Sequence, residues 1–463
     1  MYTELYTLCG YSPEEIERER PRIEKALEKA GLGREDVEHA ENRVKEYFDT
    51  TSLCVRKSLK MWMADFVDVV LAREEGKKIV YSSFPSIPPL CVAIAMASED
   101  VVLQAPEVCL AVVLGEIFGK IDPVLEAAES HGMAQGLAMC SLNQIRVGGI
   151  VNGTIPVPDL LLGSGFFCDQ TPKTDDYLHE IYGIPSAIMD GYMDSGWNEY
   201  PNIDPRRVYA LGAELRKVLE ESERILDIKV TDDVLEKSLS EFTRLWTSLY
   251  TCWDYLKNDP QPMSLVDLGP LWWAATSPDR RSMTDGFDVI ATFIREMHYK
   301  VKEGKGVVAK GSPRVMILCN QATDPRVMRM IEQAGLSIPT TALMGVTNTH
   351  AESYLVNPFE KWEDKVANIM LCHGMYHSTS ALVSRYRELS KTWNLDGVLN
   401  FYHFSCRAYN ITPLIIKKAV EEDPGIPVLS LEGDLFDTRH YSAEALRTRV
   451  ETFADMLQFK MAV

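Results

Sequence analysis

A chain of 463 residues with a formal net charge of −19, 46% hydrophobic residues and ten cysteines has no apolar stretch approaching the roughly 18 residues of a membrane span. The same acidity disfavours a nucleic-acid partner, whose phosphates need clustered Lys and Arg, so no membrane and no nucleic acid are expected among its contacts. At about 100 to 200 residues per domain, the length predicts two or three domains.

The N-terminus, MYTELYTLCGYSPEEIERERPRIEK, turns charged too early for a signal peptide, and a cytoplasmic location is expected. Ten cysteines without close pairing then predict thiols or metal ligands rather than a disulfide framework. From Ser12 to about Glu75 the chain reads as helical. Ser12 is an N-cap followed by Pro13 at the first helical position and acids in the first turn. Strand-like segments follow, KKIVYSSF, EDVVLQAP, PDLLLGSG and PSAIMDGY, with helical stretches at Pro123 to Gly132 and Thr174 to Tyr182 between some of them. Such alternation predicts a parallel sheet.

From Asp204 to Lys305 the pattern changes to long amphipathic helices, whose aromatic and Met content reads first as core and could also wall a substrate tunnel. RVMILCN then opens a second alternating region, continued by NIMLCHG, DGVLNFYHF and PVLSLEGD. The fold class expected is α/β, with two Rossmann-like parallel-sheet domains. The expected boundaries are an N-terminal helical region at 1–76, a first α/β domain at 77–205, a helical segment at 206–308 and a second α/β domain at 309–463.

Three cysteines are read as ending apolar runs of strand length: Cys109 after VVLQAPEV, Cys168 after LLLGSGFF and Cys406 after GVLNFYHFS. The carboxyl ends of strands in an open α/β sheet are where ligands bind. Cys140 reads as the start of a helix. With no Cys-x-x-Cys anywhere in the chain, structural zinc is disfavoured. Thiolates that meet only on folding are compatible with an iron-sulfur cluster. Cys9 and Cys54 read as non-ligands, and Cys91, Cys252 and Cys319 have no supporting motif.

The blocks APEVC (105–109), MCSLNQIRVGG (139–149), PDLLLGSGFFCD (158–169), DGVLNFYHFSCR (396–407) and GIPVLSLEGDLFDTRHYSAEALRTRVETF (425–453) carry a resemblance to the 2-hydroxyacyl-CoA dehydratase and benzoyl-CoA reductase family. The resemblance implies a [4Fe-4S] cluster held by Cys109, Cys140 and Cys406 in the cleft between the two halves, with one iron position open. It implies a low-potential electron delivered by an ATP-hydrolysing iron-sulfur activator protein and passed to a CoA thioester, in an enzyme that pairs two homologous subunits. One branch of the family holds a double-cubane cluster at positions corresponding to Ser82, Cys109, Cys140, Cys168, Cys372 and Cys406. Serine at 82 departs from that pattern, so one ordinary cluster is expected, with Cys168 and Cys372 either beside it or in the core. A non-catalytic electron relay or partner subunit is the other alternative.

Glu107, His403 and Arg407 are near enough to these cysteines in sequence to enter the cluster pocket, and are the candidate catalytic groups. His373 and His377 form an i, i+4 pair without a third ligand. Gly148-Gly149 and Gly163-x-Gly165 match neither dinucleotide-binding nor P-loop spacing, so no nucleotide site is expected.

Overall fold

The computed structural model describes residues 3–84, 87–134, 139–166, 168–191, 199–276, 280–318, 324–343, 345, 347–373, 378–407, 409–434 and 436–462. Four helices, Thr3–Leu8, Pro13–Lys29, Arg34–Tyr47 and Leu53–Leu71, open the chain. The second is fixed by a reciprocal cap in which Ser12 Oγ accepts from Glu15 N–H and the Glu15 carboxylate accepts from Ser12 N–H.

Strands β1 (Lys78–Ser82), β2 (Val101–Gln104), β3 (Leu160–Ser164) and β4 (Ser186–Met189) form a parallel sheet in the order β2-β1-β3-β4. Strands β5 (Arg314–Ile317), β6 (Ser337–Thr341), β7 (Gly397–His403) and β8 (Val428–Gly433) form a second parallel sheet in the order β6-β5-β7-β8. The two orders are the same topology. The chain therefore contains the two doubly wound sheets its alternating pattern predicts, although no repeat is visible in its residues. In each sheet the direction in which successive strands are added reverses between the first and third strands, and the crevice at their carboxyl ends is where such folds bind ligands.

Between the sheets lie the helices Pro205–Leu226, Asp232–Tyr255, Leu265–Thr276 and Asp285–Lys302. One face of the first sheet (Val80, Leu160, Leu162) is buried by Leu211 and Leu215 of the first of these. Among the described residues, no helix is long and apolar enough to cross a membrane.

One expectation is corrected in the second sheet, and one of its strands was not expected. The run NIMLCHG belongs to the helix Trp362–Cys372 rather than to a strand. Trp362, Val366 and Ile369, spaced four and three apart, form one buried stripe that joins the core on the first sheet's outer face. Gly212 makes that close approach possible, since a Cβ there would stand 2.3 Å from Asp364 Oδ1. The strand that fills the gap is β6, SIPTT, which contains Pro339. Proline lacks an N–H for a ladder, and β6 tolerates it because it is an edge strand with an irregular register against β5.

Candidate functional site

The loops that follow β3 and β7 meet, and Cys140, Cys168 and Cys406 come near one another there, although among the described residues no three His, Cys, Asp or Glu side chains are already arranged to hold a metal ion. Pro106 comes two residues after the end of β2, past Ala105; it cannot donate to a ladder and instead starts the short helix Pro106–Leu110, which carries Cys109. Cys109 is therefore on a helix beyond the strand, not at the strand's own end. A π-helical stretch, Ala111–Ile117, continues it. Cys140 is the N-cap of the helix Ser141–Val151, with φ −81° and ψ 155°. Cys168 lies between β3 and the helix Gln170–Tyr182, and Cys406 three residues beyond β7.

Cys140 is the meeting point. Burial pushes its thiol well up, and the nearby thiols of Cys168 and Cys406, with the Asp434 carboxylate, push it further, against an opposing backbone interaction at Asn143. Burial raises the Cys168 thiol too, opposed by the N–H groups of Gln170 and Thr171 at the start of its helix. Two helix N-termini thus face this group of sulfurs, a setting that favours negative charge.

The link between the halves is built from polar side chains. Gln170 accepts from Cys140 N–H at 3.0 Å and donates to the Ser405 carbonyl at 3.4 Å. Ser141 Oγ donates to Asp434 Oδ1 at 2.5 Å, and Ser405 Oγ donates to Asp434 Oδ2 at 3.2 Å. Arg407, exposed, pairs with Asp169 at 2.8 Å. Two Cys-charged dipeptides, Cys168-Asp169 and Cys406-Arg407, therefore meet across the cleft.

Glu107 is fully buried, and burial raises its pKa, with Arg146 and the N–H of Phe84 opposing. Arg146 is also fully buried. Its Nη2 lies 2.9 Å from Asp175 Oδ1, while its Nη1 stands 3.7 Å from Glu107 Oε1. Burial likewise raises the Asp175 carboxyl, to about 6. One guanidinium serves two acids, so the group holds a proton more readily than either acid would in water. Glu107 Oε2, Arg146 Nε and Arg146 Nη1 have no hydrogen-bond partner among the described residues. His403 lies 3.2 Å from Asp434 Oδ2, yet burial lowers its pKa and keeps the imidazole neutral.

The other candidates fall differently. Ser82 Oγ is 3.2 Å from Cys91 Sγ, both fully buried. Cys372 ends the helix Trp362–Cys372, with its Sγ 3.8 Å from Asn368 Oδ1, and burial pushes its thiol up to about 11. His373 packs on His350, ring centroids 4.4 Å apart, whereas His377 and Cys319 lie outside the described residues. Gly148 and Gly163 serve packing. A Cβ at Gly148 would stand 1.8 Å from the Val124 carbonyl, and one at Gly163 2.3 Å from Asp175 Oδ2.

Arg146, Gln170, Asp175 and Asp434 do not stand out in the sequence. A signal existed for one of them: an arginine between Ile145 and Val147 in a helix otherwise poor in charge marks a buried cation that needs partners.

Known proteins resemble this chain over much of its length. The family model described as 2-hydroxyglutaryl-CoA dehydratase, D-component, matches residues 101–457. The α subunit of (R)-2-hydroxyglutaryl-CoA dehydratase from Acidaminococcus fermentans is 24% identical over 313 residues, covering 66% of this chain and 61% of that protein. The α subunit of (R)-phenyllactyl-CoA dehydratase from Clostridium sporogenes is 22% identical over 352 residues, 74% of this chain and 82% of the relative. A benzoyl-CoA reductase subunit from Thauera aromatica is 21% identical over 329 residues, 66% of this chain and 72% of the relative. The chain thus spans less than two thirds of the length of the first of these. Because the family match runs from β2 through every later strand of both sheets, the chain belongs to the 2-hydroxyglutaryl-CoA dehydratase D-component family.

Proposed function

We propose that this chain is the iron-sulfur subunit of a 2-hydroxyacyl-CoA dehydratase or an aryl-CoA reductase-like enzyme, with Cys109, Cys140 and Cys406 holding a [4Fe-4S] cluster. The observation that carries the reading is the gathering of Cys140, Cys168 and Cys406, from both halves, around two helix N-termini. Buried thiols that raise one another's pKa cost free energy as thiolates unless a metal neutralises them, and soft sulfur donors suit iron. Cys109 is on a helix packed against the one that Cys140 caps. When bound, such a cluster supplies a single low-potential electron.

The chain's own residues supply the rest. Glu107 and Asp175, sharing Arg146, hold a proton in a buried place. The unpartnered Glu107 Oε2 and Arg146 Nη1 leave an acceptor and a donor for a thioester. Gln170 and Asp434 keep the halves together around the sulfurs, and His403 lies beside Asp434. A homologous second subunit and an ATP-hydrolysing iron-sulfur activator belong to this reading, supported by relatives that are named as subunits.

The position of Cys168 beside Cys140 supports a second reading, a double-cubane cluster, against which stands Ser82, a poor iron ligand already placed against Cys91. Iron and sulfide analysis with EPR on protein purified without oxygen separates the two: about four irons per chain supports the first, about eight the second, and none defeats both. Turnover of acyl-CoA thioesters with the activator separates an enzyme from an electron relay.

A further inference from the structure

A pocket of about 770 Å³, counting the solvent at its mouth, is lined by residues from both halves of the chain and from the helices between them. Phe242, Trp246, Trp272, Tyr354 and Ile369 line it, together with Phe84, just past β1. Trp246 meets Trp272 edge-on with centroids 5.0 Å apart and lies nearly parallel to Tyr354. Aromatic walls of this kind hold a flat or branched apolar group by area and by ring geometry.

Phe84 joins this pocket to the site. Its N–H donates to Glu107 Oε1 at 2.5 Å, and its carbonyl accepts from Thr171 Oγ1 at 3.3 Å. A molecule seated in the pocket therefore has one end against the residue that is bonded to Glu107.

The described lining contains no Asp, Glu, Lys or Arg. Of its two imidazoles, His350 is held neutral by burial and by the charge of Arg385, and its Nδ1 is 3.1 Å from the Tyr250 hydroxyl. His373 packs against it. Arg385, whose charge acts on His350, is itself fully buried and gives its N–H groups to the carbonyls of Ala342, Leu343, Gly345 and His373. A carboxylate entering here would shed its water without gaining a cationic partner from the described lining, which is costly.

We propose that this pocket is the specificity site for the acyl tail of the thioester, and that it takes a phenyl-sized or branched apolar tail and rejects one ending in a carboxylate. The inference rests on the thioester reading above and narrows it.

The test is direct binding to the protein purified without oxygen together with its co-purifying subunits, measured by calorimetry with three CoA thioesters whose 2-hydroxyacyl tails end in phenyl, isobutyl or carboxylate. The phenyl and isobutyl thioesters should bind about 100-fold more tightly than the carboxylate one. Trp246→Ala should erode the phenyl preference by about tenfold and leave the carboxylate thioester unchanged; Trp246→Phe should restore most of it. Comparable affinity for all three, or an equal effect of Trp246→Ala on all three, overturns the pocket assignment while leaving the thioester reading standing. No binding of any thioester defeats that reading and this inference with it.

Discussion

Ser141 and Asp434 are separated by 293 positions in the chain and joined by a 2.5 Å hydrogen bond from Ser141 Oγ to Asp434 Oδ1. Asp434 is fully buried and accepts also from Ser405 Oγ and from the N–H groups of Phe436 and Asp437. It therefore holds the residue after Cys140, the residue before Cys406 and its own loop in one arrangement. Asp434→Ala leaves several buried donors unpaired and is expected to cost on the order of 3 kcal/mol. Hydrogen exchange should then rise together around Ser141 and Ser405. An increase on one side alone would show that Asp434 does not couple the halves.

The cysteines should respond unequally to replacement by Ala. Cys109→Ala, Cys140→Ala and Cys406→Ala each remove one of three proposed thiolates, so iron should be lost or labile. Cys168→Ala should retain iron with a shifted potential, since its thiol lies beside Cys140 without being needed in a three-thiolate site. Cys9, Cys54 and Cys252 are buried in packed cores, and their replacement should affect stability only, by about 1 kcal/mol. Iron content and visible absorbance of each variant, purified without oxygen, decide the matter. Full iron in Cys406→Ala with loss in Cys168→Ala would move the site.

The sequence was most legible where local chemistry decides structure. Ser12-Pro13-Glu14-Glu15 is a helix start on its own terms, and the Val, Ile and Leu runs of β1, β3 and β7 read as buried parallel strands because both their faces are covered. It was least legible where a distant partner decides. NIMLCHG is apolar enough for a strand, and only the packing of its helix against Pro205–Leu226 settles its state. SIPTT is excluded from a central strand by Pro339 and is admitted only because it lies at the edge. The polar framework around the sulfurs was hidden for the same reason: Gln170 finds Ser405, and Ser141 finds Asp434, through topology rather than spacing. The cysteines drew notice because three of them follow apolar runs of strand length; which of them draw closest to one another was not visible.

Gly163 carries a separate prediction. It lies in β3, where a glycine weakens a strand and marks a close approach. The approaching atom is Asp175 Oδ2, 2.3 Å from where a Cβ would stand. That carboxylate accepts from Ser83 Oγ at 3.0 Å and pairs with Arg146, so it has little room to retreat. Gly163→Ala should destabilise by about 1 to 3 kcal/mol and disturb Glu107 through the shared arginine. Denaturant midpoints test the first point. A neutral effect would show that Asp175 moves freely.

The last prediction concerns pH. Burial, the largest influence, raises Asp175 from an ordinary 3.8 to about 6, with the neighbouring Glu107 adding to it and Arg146 and Ser83 opposing. An acid whose pKa is higher when folded binds its proton more tightly in the native state. Its contribution is therefore fully present below about 4 and is lost as pH rises through about 6. The difference corresponds to on the order of 3 kcal/mol. Asp175→Asn keeps the shape and removes the titration, and it leaves Arg146 to Glu107 alone, which should lower the Glu107 pKa as well. Between pH 4 and pH 7 the wild type should therefore lose stability relative to Asp175→Asn, the gap between their denaturation midpoints shifting steadily toward the variant. If the two proteins kept a constant difference across that range, Asp175 would be ionised throughout, and any proton held by the buried group of two acids and one arginine would sit on Glu107.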